Sequence, residues 1–182
     1  MIRMFKILIM LCWVQTTLFG QSISSIHARW DDSFSEWILY DADADEEGTL
    51  EIRWKLNNDW SKWDYSLGDK GGSIDMKWRD NPEEWDIRGH DDIIYARTVW
   101  PRDLSSWRLK NDEITIVFES RYSTRADEWR LKTRHYGEFI IYTEYNGDPR
   151  DWIVVDSLSD EISFSMKMAM VFLAIHHGTP HN

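Results

Sequence analysis

Apolar and polar residues alternate along most of this chain. The runs "TLEIRW" (49–54), "SIDMKW" (73–78), "EITIVFESRY" (113–122) and "EFIIYTEY" (138–145) place apolar side chains at about every second position. Successive side chains on a strand point to opposite faces, so these runs predict strands buried on one face only. Between them lie loops rich in Asp, Asn, Ser and Pro: "DDSFSE", "KLNNDWSK", "RDNPEE", "PRDLSS", "STRADE" and "NGDPRD". Such residues shape turns through side-chain hydrogen bonds or a fixed φ.

Each loop is framed by two aromatics. The first is Trp30, Trp54, Trp78, Trp100, Tyr122 or Tyr145, and the second is Trp37, Trp63, Trp85, Trp107, Trp129 or Trp152. The second set recurs at gaps of 26, 22, 22, 22 and 23 residues, so the chain is built of six units of about 22 residues. Six two-stranded units predict twelve short antiparallel strands in a meander. Placing Trp78 opposite Trp85 sets Lys77 against Asp86 and Asp75 against Arg88. The same rule sets Arg53 against Asp64 and Glu119 against Lys132. Opposite charges favour that register, while Arg97 with Lys110 and Arg121 with Arg130 speak against it. It puts both aromatics of every unit on the core face with Leu50, Ile52, Ile74, Met76, Ile114, Ile116 and Phe118. The competing expectation is an exposed row of rings that stacks sugars.

A large sheet with one apolar face must be covered. "SMKMAMVFLAIHHG" (165–178) is apolar nearly all round, as a fully buried helix is. Ser165 is the expected cap, Gly178 the expected stop, and His176 and His177 fall in the last turn, where positive charge is favoured. The expected fold is mainly β: a twelve-stranded antiparallel meander closed as a barrel around one buried C-terminal α-helix at about 166–177. A short strand near 161–164 precedes it. Reading "ISFSMKM" as a longer strand is the alternative.

The whole pattern over about residues 26–177 resembles the tubby C-terminal-like group, which includes the plant LURP-one-related proteins and the phospholipid scramblases. "KWRDNPEEWDIRG" and "TVWPRDLSSWRLKND" are similar to LURP-one-related units, and "DPRDWIVVDSLSDEISFSMKMAMVFLAI" is similar to the scramblase ending. The resemblance implies a barrel closed on the last helix. The scramblase likeness implies calcium ligands among Asp148, Asp151, Asp156 and Asp160, and a calcium-dependent contact with lipid or a membrane surface. The basic phosphoinositide patch of tubby proteins and the lipidated cysteine-rich segment of scramblases have no counterpart here.

Composition narrows the function. The 182 residues are 42% hydrophobic and 29% charged, which suits one folded domain. Residues 1–20 read as a signal peptide: Arg3 and Lys6 precede the apolar run "ILIMLCWV", and Gly20 precedes Gln21. The expected location is therefore beyond the inner membrane of a Gram-negative bacterium, with a single domain at 21–182. Cys12, the only cysteine, lies in that leader, so a cleaved chain has neither disulfide nor thiol nucleophile. Net charge is −11, and −13 without Arg3 and Lys6, which disfavours nucleic acid as a partner.

Membrane-spanning strands need about 9–11 residues. A 22-residue unit with two turns leaves fewer, so a transmembrane barrel is not expected. Asp41, Asp43 and Asp45 in "DADADEEG" have the spacing of oxygen ligands for calcium, but the turn glycine and the last carboxylate of an EF-hand are misplaced. No G-x-S-x-G, H-E-x-x-H or phosphate-binding glycine loop occurs. The sequence thus predicts an exported, non-enzymatic binding or structural module. A calcium-dependent lipid-interacting protein and a glycan-binding module are the alternatives.

Overall fold

A computed structural model describes residues 22–42, 47–57, 59–90, 92–122 and 124–181. The expected signal peptide lies outside these residues. The first six strands are β1 (Ile23–Trp30), β2 (Ser33–Asp41), β3 (Glu47–Ile52), β4 (Lys62–Leu67), β5 (Lys70–Trp78) and β6 (Asn81–Arg88). They are followed by β7 (Ile93–Thr98), β8 (Ser106–Lys110), β9 (Thr115–Tyr122), β10 (Arg125–Leu131), β11 (Phe139–Thr143) and β12 (Asp151–Asp156). Each pairs antiparallel with its sequence neighbours. β1 closes on β12 through Ser25↔Ile153, Ile26↔Trp152 and His27↔Asp151, making a closed twelve-stranded barrel.

The predicted alternation decides which side chains point inward. On β4, Trp63, Tyr65 and Leu67 are buried, and Lys62, Asp64 and Ser66 face out; on β8, Trp107 and Leu109 are buried, and Arg108 and Lys110 face out. A barrel of this size encloses more space than its own inward side chains fill. The helix α1 (Phe164–Gly178) occupies it, with every residue from Ser165 to His176 buried.

The start of α1 differs from expectation. No strand forms at 161–164, and the cap is Ser163, whose Oγ accepts from the Met166 amide at 3.1 Å. Ser165 lies inside the helix, where the Tyr65 hydroxyl donates to its Oγ at 3.3 Å. Gly89 is needed beside it, because a Cβ there would lie 1.9 Å from that Oγ. At the other end, a Cβ on Gly178 would lie 2.6 Å from the Trp152 ring and 2.8 Å from the Ala126 carbonyl oxygen.

One charged side chain enters the barrel with the helix. Lys167 pairs with Asp156 at 2.8 Å, and both side chains are almost wholly excluded from solvent. The Leu158 amide donates to the other oxygen of Asp156, so end of β12 and start of α1 are held together by a compensated charge pair.

Candidate functional site: an aromatic crown above a tryptophan belt

In an up-and-down barrel the six hairpins of β1–β2, β3–β4, β5–β6, β7–β8, β9–β10 and β11–β12 all turn at one end. The two aromatics of every unit therefore meet at that end, but not on one face. Trp37, Trp63, Trp85, Trp107, Trp129 and Trp152 are at most 1% exposed. Trp30, Trp54, Trp78, Trp100, Tyr122 and Tyr145 are 44–67% exposed. The second aromatics form a belt inside the barrel, and the first form a crown around its rim. This corrects the expected register: Trp85 stands opposite Met76, and Trp78 opposite Asn81.

The cause is local. The ladder slips between Met76 and Trp78, between Ala28 and Trp30, and between Arg125 and Trp129. In each slip the later strand spends four residues where the earlier spends two, as from Trp85 to Asn81 against Met76 to Trp78. Such a bulge bends and twists the ladder so that the aromatic beyond it leaves the core face. In the other three units the strand stops short: β3 ends at Ile52 before Trp54, β7 at Thr98 before Trp100, and β11 at Thr143 before Tyr145. The charges that suggested the other register pair diagonally instead. Asp75 lies opposite Asp86, yet Asp75 takes Arg53 at 3.1 Å and Asp86 takes Arg88 at 3.0 Å.

Each belt indole is fixed in the same way. Its Nε1–H donates to the carbonyl three residues earlier, those of Phe34, Trp60, Pro82, Leu104, Ala126 and Pro149, at 2.8–3.0 Å. The residue four before the indole shapes the turn: Asp59, Asn81, Asp103 and Asp148 accept from the amide two residues on at 3.0–3.1 Å. Hydrogen bonds from the Ser61 hydroxyl and amide hold the Asp59 carboxyl below its usual range, and those from Arg150 do the same for Asp148.

The belt grips the end of α1. Phe172 lies 4.8 Å from the Trp85 ring and 5.8 Å from that of Trp63. His176 sits 5.0 Å from Trp85, and His177 stacks on Trp107 at 5.2 Å. Neither histidine supplies the positive charge expected in the last turn. Burial, with neighbouring histidines adding to it, drives His176 well below its ordinary value and His177 down to about 3, so both are neutral.

Above the belt, between the β7–β8 and β9–β10 hairpins, opens a cleft of about 410 Å³. Tyr122, Arg102, Arg125, Ser105 and Thr124 line it, and His177 reaches its floor. At the opposite end of the barrel a cleft of about 480 Å³ is acidic, lined by Asp92, Asp112, Glu113 and Glu161. Neither cleft stands out in the sequence, because each joins residues from separate hairpins.

The carboxylates expected to bind calcium are dispersed. Asp148 is held by Arg150 at 2.6 Å, Asp151 by His27 at 2.7 Å, and Asp156 by Lys167 inside the barrel, while Asp160 is exposed. Asp41 ends β2 opposite Ile23, and Asp43 and Asp45 lie outside the described residues. Among the described residues no three His, Cys, Asp or Glu side chains are grouped to hold a metal ion.

One constellation has the hydrogen-bond order of a nucleophilic triad: Ser25 Oγ to His27 Nε2 at 3.2 Å, and His27 Nδ1 to Asp151 at 2.7 Å. It lies on the outer sheet face at the closure seam. The β1 backbone around it is shared between the β2 and β12 ladders. Its evident work is to tie the last strand to the first. Among the described residues no helix is long and apolar enough to cross a membrane. No family model matches the chain, and no curated protein or solved structure matches it either.

Proposed function

We propose that this protein is an exported, non-enzymatic binding module of tubby-like architecture, and that its contact surface is the aromatic crown, which stacks the rings of a carbohydrate. One observation carries the reading: six aromatics, one per unit, stand 44–67% exposed around a single rim. Exposed rings in a contiguous arrangement mark contact surfaces, and a ring face accepts the polarised C–H groups of a sugar. Adjacent crown positions are two strands apart, about 10 Å at the usual strand spacing, so an extended chain can touch several at once. The twelve-stranded barrel closed on its last helix supports the tubby-like assignment.

A lipid surface is the weaker partner. The hairpin tips carry Asp31, Asp32, Arg79, Asp80 and Arg102 beside the rings, and outer strand faces are charged, the reverse of a lipid-facing barrel. Affinity electrophoresis through gels holding soluble polysaccharides tests the proposal. Retardation is expected, and Trp78→Ala with Trp100→Ala should abolish it while the fold is kept. No retardation by any polysaccharide, or retardation that survives both substitutions, sinks it.

A further inference from the structure

The crown is sixfold in its rings but not in its charge. Residues 97–134 hold nine Lys and Arg against six Asp and Glu, a net of +3; the remaining 12 Lys and Arg against 26 Asp and Glu give −14. All nine cations of that segment are exposed, whereas Asp103, Glu119, Asp127 and Glu128 are partly buried. Arg97 and Arg108 stand directly opposite each other on β7 and β8. A like-charge pair in that position works against the sheet. Arg102 and Arg108 form no ion pair among the described residues. Four strands span roughly 19 Å, about twice the screening length at physiological salt. Glu84 and Glu138 reach in from outside the segment to pair with Arg97 and Arg134, and Glu83 accepts from the Arg102 amide. The positive charge this sector offers a partner is therefore that of the side chains of Arg102, Arg108 and Lys110, unpaired among the described residues.

The sector includes the cleft between the β7–β8 and β9–β10 hairpins. Exposed Trp100 and Tyr122 stand on its two hairpins, Arg102 and Arg125 line it, and Ser105 and Thr124 offer hydroxyls. Arg125 is already engaged by Asp127 and Asn146, which leaves Arg102 as the cleft's uncommitted guanidinium. We propose that this sector is the anionic subsite of the crown: it takes an acidic sugar unit, its ring on Tyr122 and its carboxylate or sulfate on Arg102, with the following acidic units running over Arg108. This rests on the carbohydrate reading of the crown and adds the charge class of the ligand.

The test compares polygalacturonate, dextran sulfate and neutral dextran by calorimetric titration of the full chain, at about 50 mM and about 300 mM salt. An acidic polymer should bind about tenfold more tightly than dextran at low salt and lose that margin at high salt. Arg102→Glu with Arg108→Glu should weaken the acidic polymer about tenfold and leave dextran unchanged. Lys62→Glu, an equal change per site on β4, should alter neither. Which acidic polymer binds separates carboxylate from sulfate recognition. Equal affinity for acidic and neutral polymers overturns the anionic subsite but leaves the crown. Equal loss in the Lys62→Glu protein assigns the effect to total charge, and binding of single-stranded DNA or phosphatidylserine vesicles as tight as the acidic polymer replaces the sugar; either overturns the proposal. If dextran and both acidic polymers all fail to bind, the carbohydrate reading itself falls.

Discussion

The belt and the crown are built from the same residue types at the same 22-residue period, a few positions apart, yet one is sealed and the other is wet. The belt indoles each have a fixed hydrogen-bond partner, and Trp63, Trp85, Trp107 and Trp129 pack on the helix. The crown rings sit beyond a slip in the ladder or beyond the end of a strand. Composition does not separate the two sets; the backbone between them does. A repeat can therefore carry a structural and a contact aromatic in every copy, provided the turn between them is held in one conformation.

The sharpest way to break this contrast is to cut the belt. Trp85→Ala should cost about 3–5 kcal/mol of unfolding free energy, measured by urea titration, because a buried ring leaves a cavity against Phe172 and His176. A loss no larger than a surface substitution would mean that the belt is not the core. Unseating the helix should cost a similar amount. Lys167→Ala leaves the buried Asp156 without its ion-pair partner and should lose about 3–5 kcal/mol. Lys167→Met with Asp156→Leu should recover most of that; failure to recover would show that the pair is needed for more than charge compensation.

The belt should also make stability depend on pH. His176 and His177 stay neutral in the folded protein, while in the unfolded chain they take up protons below about pH 6.5. The unfolded state then binds more protons, so stability falls as pH drops from about 6.5 towards about 3, where His177 charges in the fold. The slope approaches about 1.4 kcal/mol per pH unit for each histidine. Urea midpoints compared between pH 7 and pH 5 should show it, and His177→Phe should reduce it; an unchanged slope in that variant would sink the assignment.

Smaller effects distinguish the turn from the rim. Asp103→Ala removes the bonds that set the β7–β8 turn and should cost about 1 kcal/mol. Trp78→Ala should change stability by no more than about 0.5 kcal/mol. Iodide should quench the crown indoles and spare the belt, so the Trp78→Ala protein should lose quenchable emission without losing the blue-shifted component. A large stability loss there would place the crown in the core.

The twelve strands, their inward alternation and the helix could be read from the chain, because each follows from a period that side chains impose on a backbone. The crown could not. Ile74, Met76 and Trp78 have one parity, and nothing in "SIDMKW" announces that the ladder slips after Met76. Charge complementarity pointed the wrong way for a related reason: long Arg and Lys side chains reach diagonally, as Arg53 does from Asp64 to Asp75. The lesser capping error at Ser163 comes from three serines, at 159, 163 and 165, that all offer a hydroxyl near the helix start. The clefts were out of reach because sequence order does not say which loops share a rim.

The innermost segment of the molecule, α1, follows every one of its strands, and β1, made first among them, finds its second partner only in β12. A chain emerging from the ribosome therefore cannot complete this fold until β12 and α1 are present. Partial products expose an open sheet with a wet apolar face and two unpaired edges. Long-range closure of this kind makes folding slow compared with helical domains. The proposed export would draw on that delay, since a protein that cannot close early remains threadable until it has crossed.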